Sequence, residues 1–225
     1  IVLDDGTIVD LNAGSRLSYP SSAFCKNRYV RLEGEAYFNV FSDPAKPFFV
    51  YTEGMTVKAL GTQFNVRAYP DEKTSETTLI TGKVEVYSNT VEFEPDIALV
   101  VSLLPNQKVI MNRELKESLV ETKELLAEEK KEKSAPVIRK NIRTDVDTEW
   151  RNDVLIFDNE SFISIINKLE RWYGVKIEKQ TFHLDTVRFS GKFDRESISD
   201  VLYALSQIEP FTFEIHKDKV TLKIK

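Results

Sequence analysis

The sequence predicts an all-β sandwich or β-roll over residues 1–116, then a small α+β domain over 148–225 built from two β-α-β repeats. Three observations lead there. Short alternating segments broken by Gly, Pro and Asn fill the first half. A densely charged stretch follows, and the last third repeats itself after 36 residues. A chain of 225 residues has room for two domains of ordinary size.

The first half divides into candidate strands by its punctuation. Asp4-Asp5-Gly6, Asn12-Ala13-Gly14-Ser15 and Tyr19-Pro20 are turn clusters, and Thr7 to Leu11 lies between the first two. Tyr29 to Leu32 and Ala36 to Phe41 flank Gly34 and read as two strands. Phe48 to Thr52, Thr56 to Leu60, Phe64 to Ala68, Thr77 to Ile80 and Lys83 to Tyr87 continue the series. Ala98 to Val101 and Lys108 to Met111 close it around Leu104-Pro105-Asn106. Strands this short and this evenly spaced suit a sandwich or roll better than a parallel sheet.

From Glu114 the chain turns charged, and Glu128-Glu129-Lys130-Lys131-Glu132-Lys133 reads as solvated. The stretch 117–147 is therefore expected to be a charged linker, and the natural hinge.

Beyond it, Phe157-Asp158-Asn159-Glu160-Ser161 recurs as Phe193-Asp194-Arg195-Glu196-Ser197. The offset of 36 persists: Phe162, Ile165, Ile166, Leu169 and Trp172 map onto Ile198, Val201, Leu202, Leu205 and Ile208. Both sets carry the i, i+3, i+4, i+7 spacing of an amphipathic helix. Asp158 and Asp194 are the expected N-caps, Gly174 ends the first helix and Pro210 the second. Strands are expected at Val154–Phe157, Val175–Glu178, Arg188–Phe193, Phe211–Ile215 and Lys219–Lys225, in one sheet with both helices on one face.

Composition bounds the function. Hydrophobic residues at 41% beside 30% charged argue for a folded chain, and a net charge of −5 lacks the basic footprint of nucleic-acid binding. A lone Cys25 forbids an intramolecular disulfide and leaves the compartment open. His183 and His216, far apart and without Cys partners, do not suggest zinc. Gly54, Gly61 and Gly82 are isolated in strand contexts and open no helix, so no phosphate loop is expected. Neither catalytic, cofactor nor metal-binding residues are assigned.

Glu33 and Glu35 have the spacing to share a strand face roughly 6–7 Å apart. Glycosidase chemistry needs carboxylates on opposite sides of a cleft, so these read as structural. Trp150 reads as a residue that seals the domain entrance, Trp172 as core. The terminal strand alternates strictly, with Val220, Leu222 and Ile224 on one face and Lys219, Thr221, Lys223 and Lys225 on the other. Those four are the candidate partner-binding residues, on an edge that could accept a partner strand by β-augmentation.

Longer motifs then point to a family. Asp5-Gly6-Thr7-Ile8-Val9, Leu11 to Ser15 and Leu17-Ser18-Tyr19-Pro20 resemble the opening of a FecR domain. Arg28 to Val40, Asp43 to Phe48, and Leu60 to Val66 with Ala68-Tyr69 are similar to its central signatures. The region from Phe157 onward resembles the duplicated domain that commonly follows it. Asp4, Asp10 and Asn106 stand where the family often has Pro, Trp and Gly. The resemblance implies the periplasmic sensor region of a single-pass inner-membrane anti-sigma factor of a Gram-negative bacterium. It implies two partners: the signalling domain of a TonB-dependent outer-membrane transporter and, through a cytoplasmic segment, an extracytoplasmic-function sigma factor. A carbohydrate- or surface-binding β module without a signalling role is the competing class.

Overall fold

A computed structural model describes residues 1–20, 27–88, 98–113, 135–180 and 187–224. Cys25, His183, Lys225 and the charged run at 128–133 lie outside them. The chain divides into two units, Ile1–Thr148 and Glu149–Lys225. It is mostly β, a curled half-barrel sheet followed by a small α+β region.

The first unit holds eleven strands: β1 (Ile8–Leu11), β2 (Arg16–Ser18), β3 (Tyr29–Asn39), β4 (Phe48–Thr52), β5 (Met55–Ala59), β6 (Gln63–Ala68), β7 (Thr74–Thr81), β8 (Val84–Ser88), β9 (Ala98–Leu103), β10 (Gln107–Asn112) and β11 (Val137–Lys140). They form one sheet in the order β11-β10-β7-β6-β3-β4-β5-β8-β9, with β1 and β2 also paired to β3. The curl follows from connectivity. β9 ends the order on one side and β10 stands next to its other end, yet only Leu104–Asn106 joins them. The sheet must therefore fold round on itself. Its inward alternates, among them Phe38, Phe48, Phe64, Val57, Leu79 and Leu103, are wholly buried in a single core. Asn106, where the family often has Gly, is left-handed at φ 62°, which Asn tolerates better than most residues.

Two sequence expectations change here. The two strands read on either side of Gly34 are one strand, because Gly34 takes a positive φ of 108° while its pairing with β6 runs on without a shift. A Cβ there would lie 2.7 Å from the Ser15 Cα, so β2 reaches β3 only past a glycine. Within the stretch read as linker, Val137–Lys140 pairs with β10 and a helical turn follows at Asp145–Thr148. Asp147 of that turn accepts from Lys108 Nζ at 2.6 Å and from Thr78 Oγ1 at 2.8 Å. Residues 137–148 are thus strapped to the sheet rather than free. Sparse apolar content hid them, since β11 is exposed at every position.

The second unit opens with a 3₁₀ turn at Glu149–Asn152 that carries Trp150 half-buried. It continues β12 (Val154–Ser161), α1 (Phe162–Tyr173), β13 (Lys176–Gln180), β14 (Arg188–Asp194), α2 (Ile198–Ile208), β15 (Phe211–His216) and β16 (Lys219–Ile224). Strand-helix-strand occurs twice, but the expected single sheet does not form. β12 pairs only with β14, and a separate sheet runs β13-β16-β15. The strands flanking each helix therefore lie in different sheets and do not make a parallel β-α-β pair. The duplication instead pairs with itself. Ile156 faces Lys192, its own equivalent 36 residues later, with Leu155 opposite Phe193 and Phe157 opposite Gly191 in antiparallel register. That is the symmetric register two related halves produce.

The helix stripes pack as expected: Phe162, Ile165, Ile166, Leu169, Val201, Leu202 and Leu205 are buried together. Ile208 is the exception at 57% exposed, because the helix ends there and its last turn runs past the core. The caps are not the two aspartates. Ser161 Oγ accepts from Ser164 N and Ser197 Oγ from Asp200 N, each at 3.3 Å. Asn159 and Arg195, also repeat equivalents, take left-handed φ of 51° and 61° just before the caps. Asp158 stays in the strand, and the helix starts only after Ser161, three residues later. Gly174 closes α1 in the left-handed conformation at φ 64°.

Candidate functional site

The residues singled out for partner binding lie on β16, and its position corrects the mechanism attached to them. β16 is the middle strand, parallel to β13 on one side and antiparallel to β15 on the other. Both its backbone edges are engaged, so a partner strand cannot be added there. The last strand is expected at an edge because a hairpin end usually is one; the parallel neighbour comes from 43 residues earlier and leaves no local trace.

What the strand presents is a side-chain face. Lys219, Thr221 and Lys223 point away from the core that buries Val220 and Leu222. Register places Lys176 and His216 on either side of Lys219, and Glu178 and Glu214 on either side of Thr221. Lys219 Nζ meets Glu178 Oε1 at 2.8 Å, and Lys223 Nζ meets Glu214 Oε1 at 2.8 Å. The Lys223 ammonium holds the Glu214 carboxyl below its ordinary value. The result is a polar face of alternating sign, suited to directional contacts rather than to a generic anion.

Glu33 and Glu35 do not form a pair. The core keeps the same alternation on both sides of Gly34, through Leu32 and Ala36, so the two carboxylates share the outer face, where Glu33 is exposed and Glu35, covered by Asn12 and Asn65, is only 6% exposed. Glu35 accepts from Asn12 Nδ2 and Asn65 Nδ2, both at 2.8 Å, while its backbone N–H donates to Ser15 Oγ. Such a carboxylate pins β1, β3 and β6 together. It faces no cleft.

A second feature escaped the sequence reading. On the outer side of β3 and β4, Tyr29, Phe49 and Tyr51 stand half-buried round a cavity of about 370 Å³. Strict alternation in Phe48 to Thr52 was the available signal. Once Phe48, Val50 and Thr52 are assigned inward, two aromatics must face out. Among the described residues no cluster of His, Cys, Asp and Glu could hold a metal ion. No helix among them is long and apolar enough to cross a membrane.

These features define a two-unit, β-rich protein whose notable surfaces are a polar strand face and an aromatic recess. The FecR protein family profile matches residues 1–85, and that of the FecR C-terminal domain matches residues 154–222. Two crystal structures of a candidate anti-sigma factor from Parabacteroides distasonis, at 1.65 and 2.50 Å resolution, are each similar to this chain. Each is 30% identical with a TM-score of 0.81, covering 100% of this chain and 93% of that one. The chain belongs to the FecR family. No curated protein matches the sequence.

Proposed function

We propose that this chain is the periplasmic sensor region of a membrane-anchored anti-sigma factor. It receives a signal from the signalling domain of a TonB-dependent outer-membrane transporter and passes it toward an extracytoplasmic-function sigma factor. The observation that supports this best is similarity along the whole chain, at 30% identity, to a candidate anti-sigma factor. The role is regulatory and works through contact. A partner shifts such a protein only by binding one of its states better than another.

The face of Lys219, Thr221 and Lys223 is the proposed docking surface on this reading, and the fourth candidate, Lys225, lies outside the described residues. Alternating charge sets partner choice and encounter rate more than raw affinity. The test is titration of the chain with a purified transporter signalling domain, followed by calorimetry. Binding that weakens about tenfold in a Lys219→Glu/Lys223→Glu variant and falls with added salt supports the surface. Undiminished binding by that variant rejects the surface. Absence of binding to any transporter signalling domain encoded beside the chain, with a sigma-dependent reporter indifferent to deletion of the protein, rejects the relay.

A further inference from the structure

The recess on the first unit is a built cavity. Its lining includes Asn27, Tyr29, Lys46, Pro47, Phe49 and Tyr51. Phe49 and Tyr51, two apart on β4, hold their rings within 14° of parallel with centroids 6.2 Å apart. Tyr29, opposite Phe49 in the register, stands edge-on to Tyr51 at 74° and 5.9 Å. Two rings thus form a ledge and the third a wall.

The walls are held from behind. Arg28 is buried and donates through Nε to Asp5 Oδ2 at 2.7 Å, through Nη1 to the Lys46 carbonyl at 2.7 Å and through Nη2 to the Phe41 carbonyl at 2.6 Å. Phe49 N bonds the Arg28 carbonyl at 2.8 Å. One side chain therefore ties the loop at Lys46 to the start of β3 beside the recess.

We infer that this cavity binds a saccharide ring. Outward aromatics are unexplained by the core, which Phe48 and Val50 already fill from the same strand. A pyranose offers apolar C–H faces whose partial positive charge suits the negative face of an aromatic ring, and hydroxyl edges that need donors. Asn27 and Lys46, both exposed at the rim, supply those donors. Burial pushes the Tyr51 phenol up, so it remains a neutral donor at neutral pH. A cationic ligand is disfavoured: among the described residues no carboxylate lines the cavity, and Lys46 and Arg28 do. The volume falls in the lower range of small-molecule sites, room for one or two rings. The inference stands on the first unit alone and does not depend on the proposed relay.

The test is NMR titration of the 225-residue chain, observing aromatic side-chain resonances. Maltotriose and chitotriose are the neutral probes, and trigalacturonate the acidic one, each taken to about 20 mM, beyond a low-millimolar Kd. The expected result is a saturable shift of the Tyr29, Phe49 and Tyr51 rings with at least one probe. Which probe acts separates neutral from acidic saccharides. Tyr51→Ala is expected to weaken binding at least about tenfold. Should that variant unfold, Ala45→Trp fills the exposed mouth without removing a packed ring, and the same loss is expected with Tm unchanged. No saturable shift with any of the three overturns the inference. So does binding that survives Ala45→Trp, or a shift seen only with a polyproline peptide, which would make the recess a protein-docking groove.

Discussion

The two units solve the problem of a unique fold in different ways. Every buried polar or charged residue among those described belongs to the first: Thr7, Arg28, Glu35, Thr52, Thr56, Thr62, Asn65, Ser75, Thr77 and Thr78. The second buries only apolar side chains and leaves its polar work to helix ends. A curled eleven-stranded sheet has many nearly equivalent registers, and a one-residue slip would turn a whole strand inside out. Buried partners such as Glu35 with Asn12 and Asn65 are satisfied in one register only. Two short helices on small sheets face fewer alternatives, and a binary pattern with caps is enough. The lesson is that buried polarity in the first unit tracks the number of wrong pairings available.

That comparison can be broken. Arg28→Met should have the largest effect, about 3–5 kcal/mol, because it leaves the buried Asp5 carboxylate without its counter-ion and the Lys46 and Phe41 carbonyls without their side-chain donor. Urea unfolding checks the size, and native-state hydrogen exchange should confine the loss to amides of residues 1–148. Loss below 1 kcal/mol would mean the polar core is ornamental. In the second unit the matching lesion is apolar. Leu205→Ala is expected to cost about 2–5 kcal/mol, through lost burial and the cavity left behind, with exchange rising only beyond Glu149.

The repeat supplies a finer test. Ser161→Ala and Ser197→Ala each remove the side-chain acceptor of a first-turn amide, so each should cost about 1 kcal/mol. Asp158→Ala and Asp194→Ala should cost much less by the same thermal melts. Equal loss at serine and aspartate would undo the assignment of the caps.

Smallest is a dependence on pH. Burial alone would raise the Glu76 carboxyl, but Lys108 and Arg67 together hold it below its ordinary value. Its folded pKa is depressed, so its contribution is complete above the unfolded value and is lost as pH falls through the folded one. Lys108 shows the reverse: burial would lower it, yet Glu76 and Asp147 hold it above its ordinary value. Its contribution is complete below the unfolded value and is lost as pH rises through the folded one. A Lys108→Met variant should therefore show a weaker loss of stability at both pH extremes than the parent, measured by urea midpoints across pH. Unchanged curves would dissociate the strap at Asp147 from charge.

Legibility followed the same division. The 36-residue repeat, the two helical stripes and the Gly174 stop could be read directly, because each is a local pattern in which position implies burial. The caps were missed by three residues since Asp and Ser compete for the same role and strand β12 runs further than its apolar residues. The strap at 137–148 was missed because its strand is exposed throughout and its anchors, Thr78 and Lys108, come from distant strands.

The sequence by itself determined which residues alternate, where the chain turns, that the tail is duplicated, and the family to which all this belongs. Only the tertiary structure decided that the last strand is central and not an edge, that Glu35 is buried while Glu33 is not, and that three aromatics enclose a recess. The physical reason is common to all three. Alternation assigns a side chain to a face, but which strand lies alongside, and what that face then meets, depends on pairings between residues far apart in the chain, and no local pattern encodes those.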